Sequence, residues 1–68
     1  MKPVSGRRIV KILRDRGWRL DRIEGSHHVM EHDDFPRSVA VPVHGNQDLK
    51  TGLLRATMRQ AGLTDADL

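Results

Sequence analysis

The chain has 68 residues and no cysteine, and only 37% of its residues are hydrophobic. It can form one small domain over residues 1–68, but neither a dinucleotide-binding fold nor a barrel. No apolar run reaches the about 20 residues that a membrane helix requires, so we expect a cytoplasmic protein that does not bind membranes.

Positive charge is concentrated at the start of the chain, within a net charge of +3. Residues 1–20 carry seven basic residues and one acid, residues 21–48 two basic residues and six acids, and residues 49–68 three basic residues and two acids. Such a basic segment is what a polyanion partner would require. Judged from charge alone, a solvated helix face is the slightly better explanation.

The first predicted element is a helix over Ser5–Arg16, with Ser5 as its N-cap and Gly17 as its stop. Its apolar face has helical spacing and consists of Ile9, Ile12 and Leu13. Its opposite face carries the basic side chains Arg7, Lys11 and Arg14.

Three strands are predicted to follow. The first begins at Trp18 and ends in a turn at Gly25 and Ser26, and the second covers His27–His32. The side of the second strand that faces inward is left open by the sequence. The third strand covers 38–43, and Pro42 should lie at an edge or a strand end because it cannot donate a ladder hydrogen bond.

A second helix is predicted from Thr51, as a possible N-cap, to Ala61, and Gly62 should end it. Its predicted apolar face consists of Leu53, Leu54, Thr57, Met58 and Ala61. The fold class is therefore α+β: a two-layer α-β-β-β-α sandwich with both helices on one face of a three-stranded antiparallel sheet.

Four histidines are the main candidates for chemistry: His27, His28, His32 and His44. Imidazole moves protons near neutral pH, and the first two follow the turn glycine at a strand start. From the residues alone, polar surface or a half-buried pair on the strand is the better explanation of these adjacent histidines. We predict no metal site and no cofactor, because ring directions alternate along a strand and no cysteine completes a zinc set.

The charge pattern and the predicted fold together suit RNA binding, since two-layer domains recognise an A-form duplex through its shape and phosphates. Lys50, at the start of the second helix, could bind one phosphate or belong to an ordinary cap. Cleavage would need little more, because the ribose 2′-OH is an internal nucleophile that one base and a few cations can activate.

The sequence resembles the HicA-type toxins, the mRNA interferases of HicA–HicB toxin–antitoxin pairs. The similarity lies in four stretches in the family's order: 9–13 followed by Gly17-Trp18, 25–28, 39–44, and 49–55 followed by 60–64. The resemblance implies a fold like the double-stranded-RNA-binding domain, cleavage of mRNA, and a HicB-like antitoxin that covers the active site.

The family's catalytic histidine matches His27, with His28 as the second candidate, and the turn residues match Gly25 and Ser26. His44 matches a position that is often histidine and to which we assign no role. Many members have an aromatic residue where this chain has Met30, which implies the loss of a base-stacking surface.

We therefore expect a metal-independent endoribonuclease in which the histidine takes a proton from a ribose 2′-OH. Side chains expected to hold phosphate are Lys11, Arg14, Lys50 and Arg55. Two alternatives stay open: a non-catalytic RNA-binding module, and an inactive relic that binds only a HicB-like partner.

Overall fold

The computed structural model describes residues 3–68 and has the predicted order of elements. The helices and strands are α1 (Gly6–Asp15), β1 (Arg19–Glu24), β2 (His27–Glu31), β3 (Val39–Pro42) and α2 (Thr51–Ala61). A short 3₁₀ helix follows at Asp65–Asp67. Within the described residues, no helix has the length and apolar character needed to cross a membrane.

The strands form an antiparallel sheet with β2 in the centre. Met30 of β2 pairs with Val39 of β3, and directly opposed residues share a face. Both are buried in one core together with Leu13 of α1 and Leu54 of α2. The two helices therefore pack on the same face of the sheet, which confirms the predicted two-layer α+β sandwich.

Helix α1 begins and ends at its predicted signals. The Oγ of Ser5 accepts a hydrogen bond from the backbone N–H of Arg8 at 3.1 Å, and Gly17 has a φ of 94°, which favours glycine. Gly6, the first helical residue, is buried, and a side chain there would overlap the carbonyl oxygen of Pro42. The start of α1 therefore docks directly against the end of β3.

Helix α2 ends as predicted but begins differently. Gly62 has a left-handed φ of 69°, and the N–H of Leu63 donates to the carbonyl of Met58 at 2.8 Å, as in a Schellman cap. Thr51 was expected at the N-cap but is the first helical residue. Lys50 is the N-cap and makes no side-chain capping bond.

The predicted apolar face of α2 is wrong at Leu53, a residue that is 43% exposed. The buried side chains are Leu54, Thr57, Met58 and Ala61. These positions follow the i, i+3, i+4, i+7 pattern of one helix face. Leu53 is one residue earlier, about 100° around the helix from that face, so it is left at the surface.

The register decides which side of β2 faces the helices. His28 pairs with Val41, which is fully buried in the core, so the His28 side chain faces the helix layer. Because successive side chains point to opposite faces of a sheet, His27 and Val29 face the other side. The two adjacent histidines therefore lie in different environments.

The strand ends deviate slightly from the prediction. Strand β2 ends one residue before His32, and Pro42 is the last residue of the edge strand β3, where its missing N–H costs no ladder bond. A register irregularity lies between Leu20 and Arg22 of β1. Met30 is fully buried, so a side chain at this position belongs to the core and the inference of a lost base-stacking surface was wrong.

Candidate functional site

A surface depression lies where the start of β2, the end of β3 and the start of α2 meet. We call it the histidine depression. Its lining residues are His27, Pro42, His44, Gln47, Asp48, Leu49, Lys50 and Leu53. Two imidazoles, one ammonium group, one carboxylate and one amide thus share a surface with apolar side chains.

His27 is held open to solvent by the β1–β2 hairpin. Gly25 turns the chain with a φ of 58°, a conformation that disfavours other residues. His27 is the first residue of β2 and pairs with Glu24 on one side and Pro42 on the other. The ladder therefore fixes the backbone of His27 while its side chain stays exposed.

His28 has a different environment, although the sequence offered it as the second candidate base. It is half-buried on the helix side of the sheet, between its cross-strand partners Ile23 and Val41. Its Nδ1 is buried and has no hydrogen-bond partner among the described residues. Of the two neighbouring histidines, His27 is the one that a substrate in the depression can reach.

His44 follows β3 and is exposed at the rim of the same depression. Its Nε2 lies 3.3 Å from the Oγ of Ser26, within hydrogen-bond distance. The backbones are also joined, because the N–H of Val43 donates to the carbonyl of Ser26 at 2.8 Å. This contact could not be predicted from the sequence, since the two residues meet only through the register of β2 with β3.

The loop between β3 and α2 contains an internal turn and is bonded to the segment before α1. The N–H of Gln47 donates to the carbonyl of His44 at 3.0 Å, and the N–H of Leu49 donates to the carbonyl of Val4 at 2.8 Å. Gly45 takes a φ of 57° within the loop. The turn and the bond to Val4 together restrict the segment that carries His44 and Lys50.

Lys50 brings positive charge to the depression. As the N-cap of α2 it lies beside the first free N–H groups of the helix, and its side chain is not used in capping. Free N–H groups and the helix dipole favour an anion at such a position. The depression therefore combines two groups that can move protons with a region suited to phosphate.

The other predicted phosphate contacts lie elsewhere. Lys11 and Arg14 are exposed on α1, where Lys11 pairs with Asp15 at 3.5 Å. Arg55 lines a separate depression together with Arg59. Lys50 is thus the one predicted cation among the lining residues of the histidine depression.

His32 belongs to an aromatic cluster rather than to this site. Its ring centroid lies 5.3 Å from that of Trp18 and 5.2 Å from that of Phe35. Its Nδ1 accepts a hydrogen bond from the backbone N–H of Asp34 at 3.0 Å, so the proton of the neutral ring is on Nε2. Its packing against the two aromatic rings and this hydrogen bond give His32 a structural role.

Two arginines of β1 are neutralised by acids. Arg19 lies 2.8 Å from Asp33 and 3.5 Å from Glu31. Hydrogen bonding and the positive charge of Arg19 lower the pKa of Asp33. Arg22 contacts two acids of its own strand, and their hydrogen bonds raise the pKa of its guanidinium. These two guanidinium groups are therefore less available to phosphate than Arg14 and Arg55, which have no ion pair among the described residues.

The fold and site define a small α+β domain with a histidine-lined depression at the edge of its sheet. A protein-family model described as HicA toxin of bacterial toxin-antitoxin matches residues 6–63, a range that includes both helices and all three strands. The chain therefore belongs to the HicA toxin family. No curated protein matches the chain.

Proposed function

We propose that this protein is the toxin of a type II toxin–antitoxin pair and that it inhibits translation by cleaving mRNA. The observation that carries the proposal is that the exposed imidazole of His27 and the ammonium group of Lys50 line one depression of a HicA-family chain. The imidazole can accept a proton near neutral pH, and the ammonium group and helix start favour phosphate.

The reaction uses the RNA's own nucleophile. His27 removes the proton of a ribose 2′-OH, and the oxygen attacks the adjacent phosphorus atom. Lys50 stabilises the negative charge that develops on the phosphate oxygens. Because the nucleophile is already held next to the phosphorus, the proposed mechanism requires no metal ion and no other cofactor.

The RNA is held by cations outside the depression as well. Lys11, Arg14 and Arg55 are exposed on the two helices and can bind phosphates along the strand. Such contacts depend on charge rather than on base identity. Domains like the double-stranded-RNA-binding domain recognise RNA by its shape and its phosphates. In such a domain these side chains would contact the phosphates of the RNA backbone.

The decisive experiment compares purified wild-type protein with the His27→Ala variant on an in vitro transcribed mRNA in excess EDTA. The wild type is expected to cleave, and the variant to be slower by about 10²–10⁴-fold, the usual contribution of a positioned base. Ser38→Ala, an exposed substitution before β3, is the matched control and should cleave like the wild type. Cleavage that needs added metal, or that survives unchanged in His27→Ala, would contradict the mechanism.

The same assay separates the nuclease from a non-catalytic RNA-binding module. Such a module would retard RNA in a salt-sensitive manner without cutting it, because neutralised phosphates release counterions. Binding without strand scission by the wild type would therefore favour that function.

A HicB-like antitoxin is the proposed partner, and it would cover the histidine depression. Induction of the chain alone should arrest bacterial growth, and His27→Ala should relieve the arrest. Coexpression of a small reading frame adjacent to the gene should relieve it too and yield a complex that does not cleave mRNA. A complex without growth arrest would instead indicate an inactive relic.

A further inference from the structure

The proposed mechanism does not yet name a proton donor for the leaving 5′ oxygen. When the phosphorus–oxygen bond breaks, the departing 5′ oxygen becomes an alkoxide, a poor leaving group unless it is protonated. The histidine depression contains a second imidazole, His44, which the mechanism does not use. In the part of the chain that the structure describes, its hydrogen-bond contact is the one between its Nε2 and the Oγ of Ser26 at 3.3 Å.

The backbone places the two imidazoles as diagonal neighbours. His27 pairs directly with Pro42, and His44 follows Pro42 by two residues. The antiparallel pairing continues one residue beyond the strands, since the N–H of Val43 donates to the carbonyl of Ser26. Diagonal residues on such a pair have Cα atoms about 7–8 Å apart, which leaves room for a phosphate group between their rings.

We propose that His44 is the general acid of the cleavage reaction and that Ser26 positions it. This inference rests on the proposed nuclease function. The oxygen of Ser26 accepts the Nε2–H of the protonated ring and thereby fixes its orientation. The proton on Nδ1 is then free to be transferred.

The proposed reaction is a transesterification at phosphorus. His27 takes the 2′-OH proton as the bond between the 2′ oxygen and phosphorus forms. The bond between phosphorus and the 5′ oxygen breaks, and its electron pair takes the proton from His44. The products are a strand ending in a 2′,3′-cyclic phosphate and a strand beginning with a 5′-OH. His27 ends protonated and His44 neutral, and exchange with solvent restores both.

A substrate with a better leaving group tests this role directly. The cleavage site of the wild type is first mapped on a transcribed mRNA, and a short RNA containing that site is made with either oxygen or sulfur at the bridging 5′ position. A thiolate leaves without protonation. His44→Ala should therefore slow the oxygen substrate by about 10²–10⁴-fold and leave cleavage of the sulfur substrate close to the wild-type rate.

Two further variants complete the test. His27→Ala should stay slow on both substrates, because the nucleophile needs its base whatever the leaving group. Ser26→Ala should slow the oxygen substrate alone, which distinguishes a positioning role from a merely structural one. Asn46→Ala, in the same loop but not among the lining residues of the depression, is the matched control, and circular dichroism verifies that each variant is folded.

The outcomes separate the two proposals. A folded His44→Ala variant that cleaves the oxygen substrate normally, or that is equally slow on both substrates, overturns the role of His44 and leaves the nuclease function intact. If the wild type cleaves no RNA at all, the proposed function falls and this inference falls with it.

Discussion

His27 and His28 are neighbours in sequence but differ in what they can do, because a strand directs successive side chains to opposite faces. His27 is exposed and lines the depression. His28 lies on the helix side, and its buried Nδ1 has no partner in residues 3–68. A buried polar atom without a hydrogen bond costs free energy. His27 is the proposed base because its exposed side chain lines the depression.

This difference predicts the behaviour of His28→Leu. The substitution replaces a half-buried imidazole with an apolar side chain beside Ile23 and Val41. The free energy of unfolding should stay the same or rise by up to about 1 kcal/mol, because an unsatisfied polar atom is removed. RNA cleavage should persist. Urea denaturation and the EDTA assay measure the two quantities, and a stable variant that no longer cleaves would assign the base to His28.

The ion pair between Arg19 and Asp33 gives a second prediction at this scale. Arg19 holds the pKa of Asp33 below its ordinary value, by hydrogen bonding first and by charge second. The contribution of this carboxylate to stability is therefore present above its ordinary pKa and is lost as the pH falls through the lowered one. In Arg19→Gln, the pKa of Asp33 should rise towards its ordinary value, as NMR titration of the side-chain carboxyl would show.

Arg37→Gln is the control for this titration, because it removes the same charge from an arginine with no ion pair among the described residues. It should leave the pKa of Asp33 in place. An equal rise in both variants would mean that net charge, and not the Arg19 contact, sets the pKa.

At the scale of elements, the close approach of α1 to β3 fixes the geometry around the depression. A Cβ at Gly6 would overlap the carbonyl oxygen of Pro42, a backbone atom that has little freedom to move. Gly6→Ala should therefore lower the free energy of unfolding by about 1–3 kcal/mol, the usual cost of overpacking. Urea denaturation monitored by Trp18 fluorescence measures the change.

Gly52→Ala is the matched control, because Gly52 lies in α2 and a Cβ there would meet no atom within 4 Å. Alanine is the better helix former, so this variant should gain up to about 1 kcal/mol. Equal effects of the two substitutions would show that the contact with Pro42 does not limit the packing of α1.

The sequence predicted the elements well because their signals are local. Ser5 and Gly17 bound α1 as expected, and Gly62 ends α2. Such signals depend on the backbone conformation of one or two residues. The N-cap of α2 was missed because Thr51 is a good capping residue by type, whereas Lys50 occupies the position.

The site was only partly predictable, because it depends on register. His27 and Lys50 were both candidates, but nothing in the sequence places the start of β2 beside the start of α2. The contact between Ser26 and His44 arises from the pairing of His27 with Pro42. The pairing of strands that a loop of variable length connects sets such contacts. Neither the inward side of β2 nor the contact of His44 with Ser26 therefore follows from the sequence alone.

At the scale of the whole molecule, the distribution of free and paired cations should control RNA binding. Arg55 lies exposed on α2 without an ion pair among the described residues, whereas Arg22 contacts Asp21 and Glu24. In the His27→Ala background, which keeps the RNA intact, Arg55→Gln should weaken binding and reduce the slope of log K against log salt by about 1.

Arg22→Gln removes the same charge from a guanidinium whose acids already neutralise it, so it should change the slope little. Fluorescence anisotropy with a labelled RNA at several salt concentrations measures both variants. Equal changes in slope would mean that the total charge of the protein, and not its free helix cations, binds the phosphates.

The most direct test of the account is the chemistry of the RNA ends produced in excess EDTA. If His27 activates a ribose 2′-OH, mass spectrometry will find a 2′,3′-cyclic phosphate on one fragment and a 5′-OH on the other. A single 2′-deoxy substitution at the cleaved nucleotide will then abolish cutting. Fragments with a 3′-OH and a 5′-phosphate, or cleavage of the 2′-deoxy substrate, would contradict the account, because water and not the ribose would then be the nucleophile.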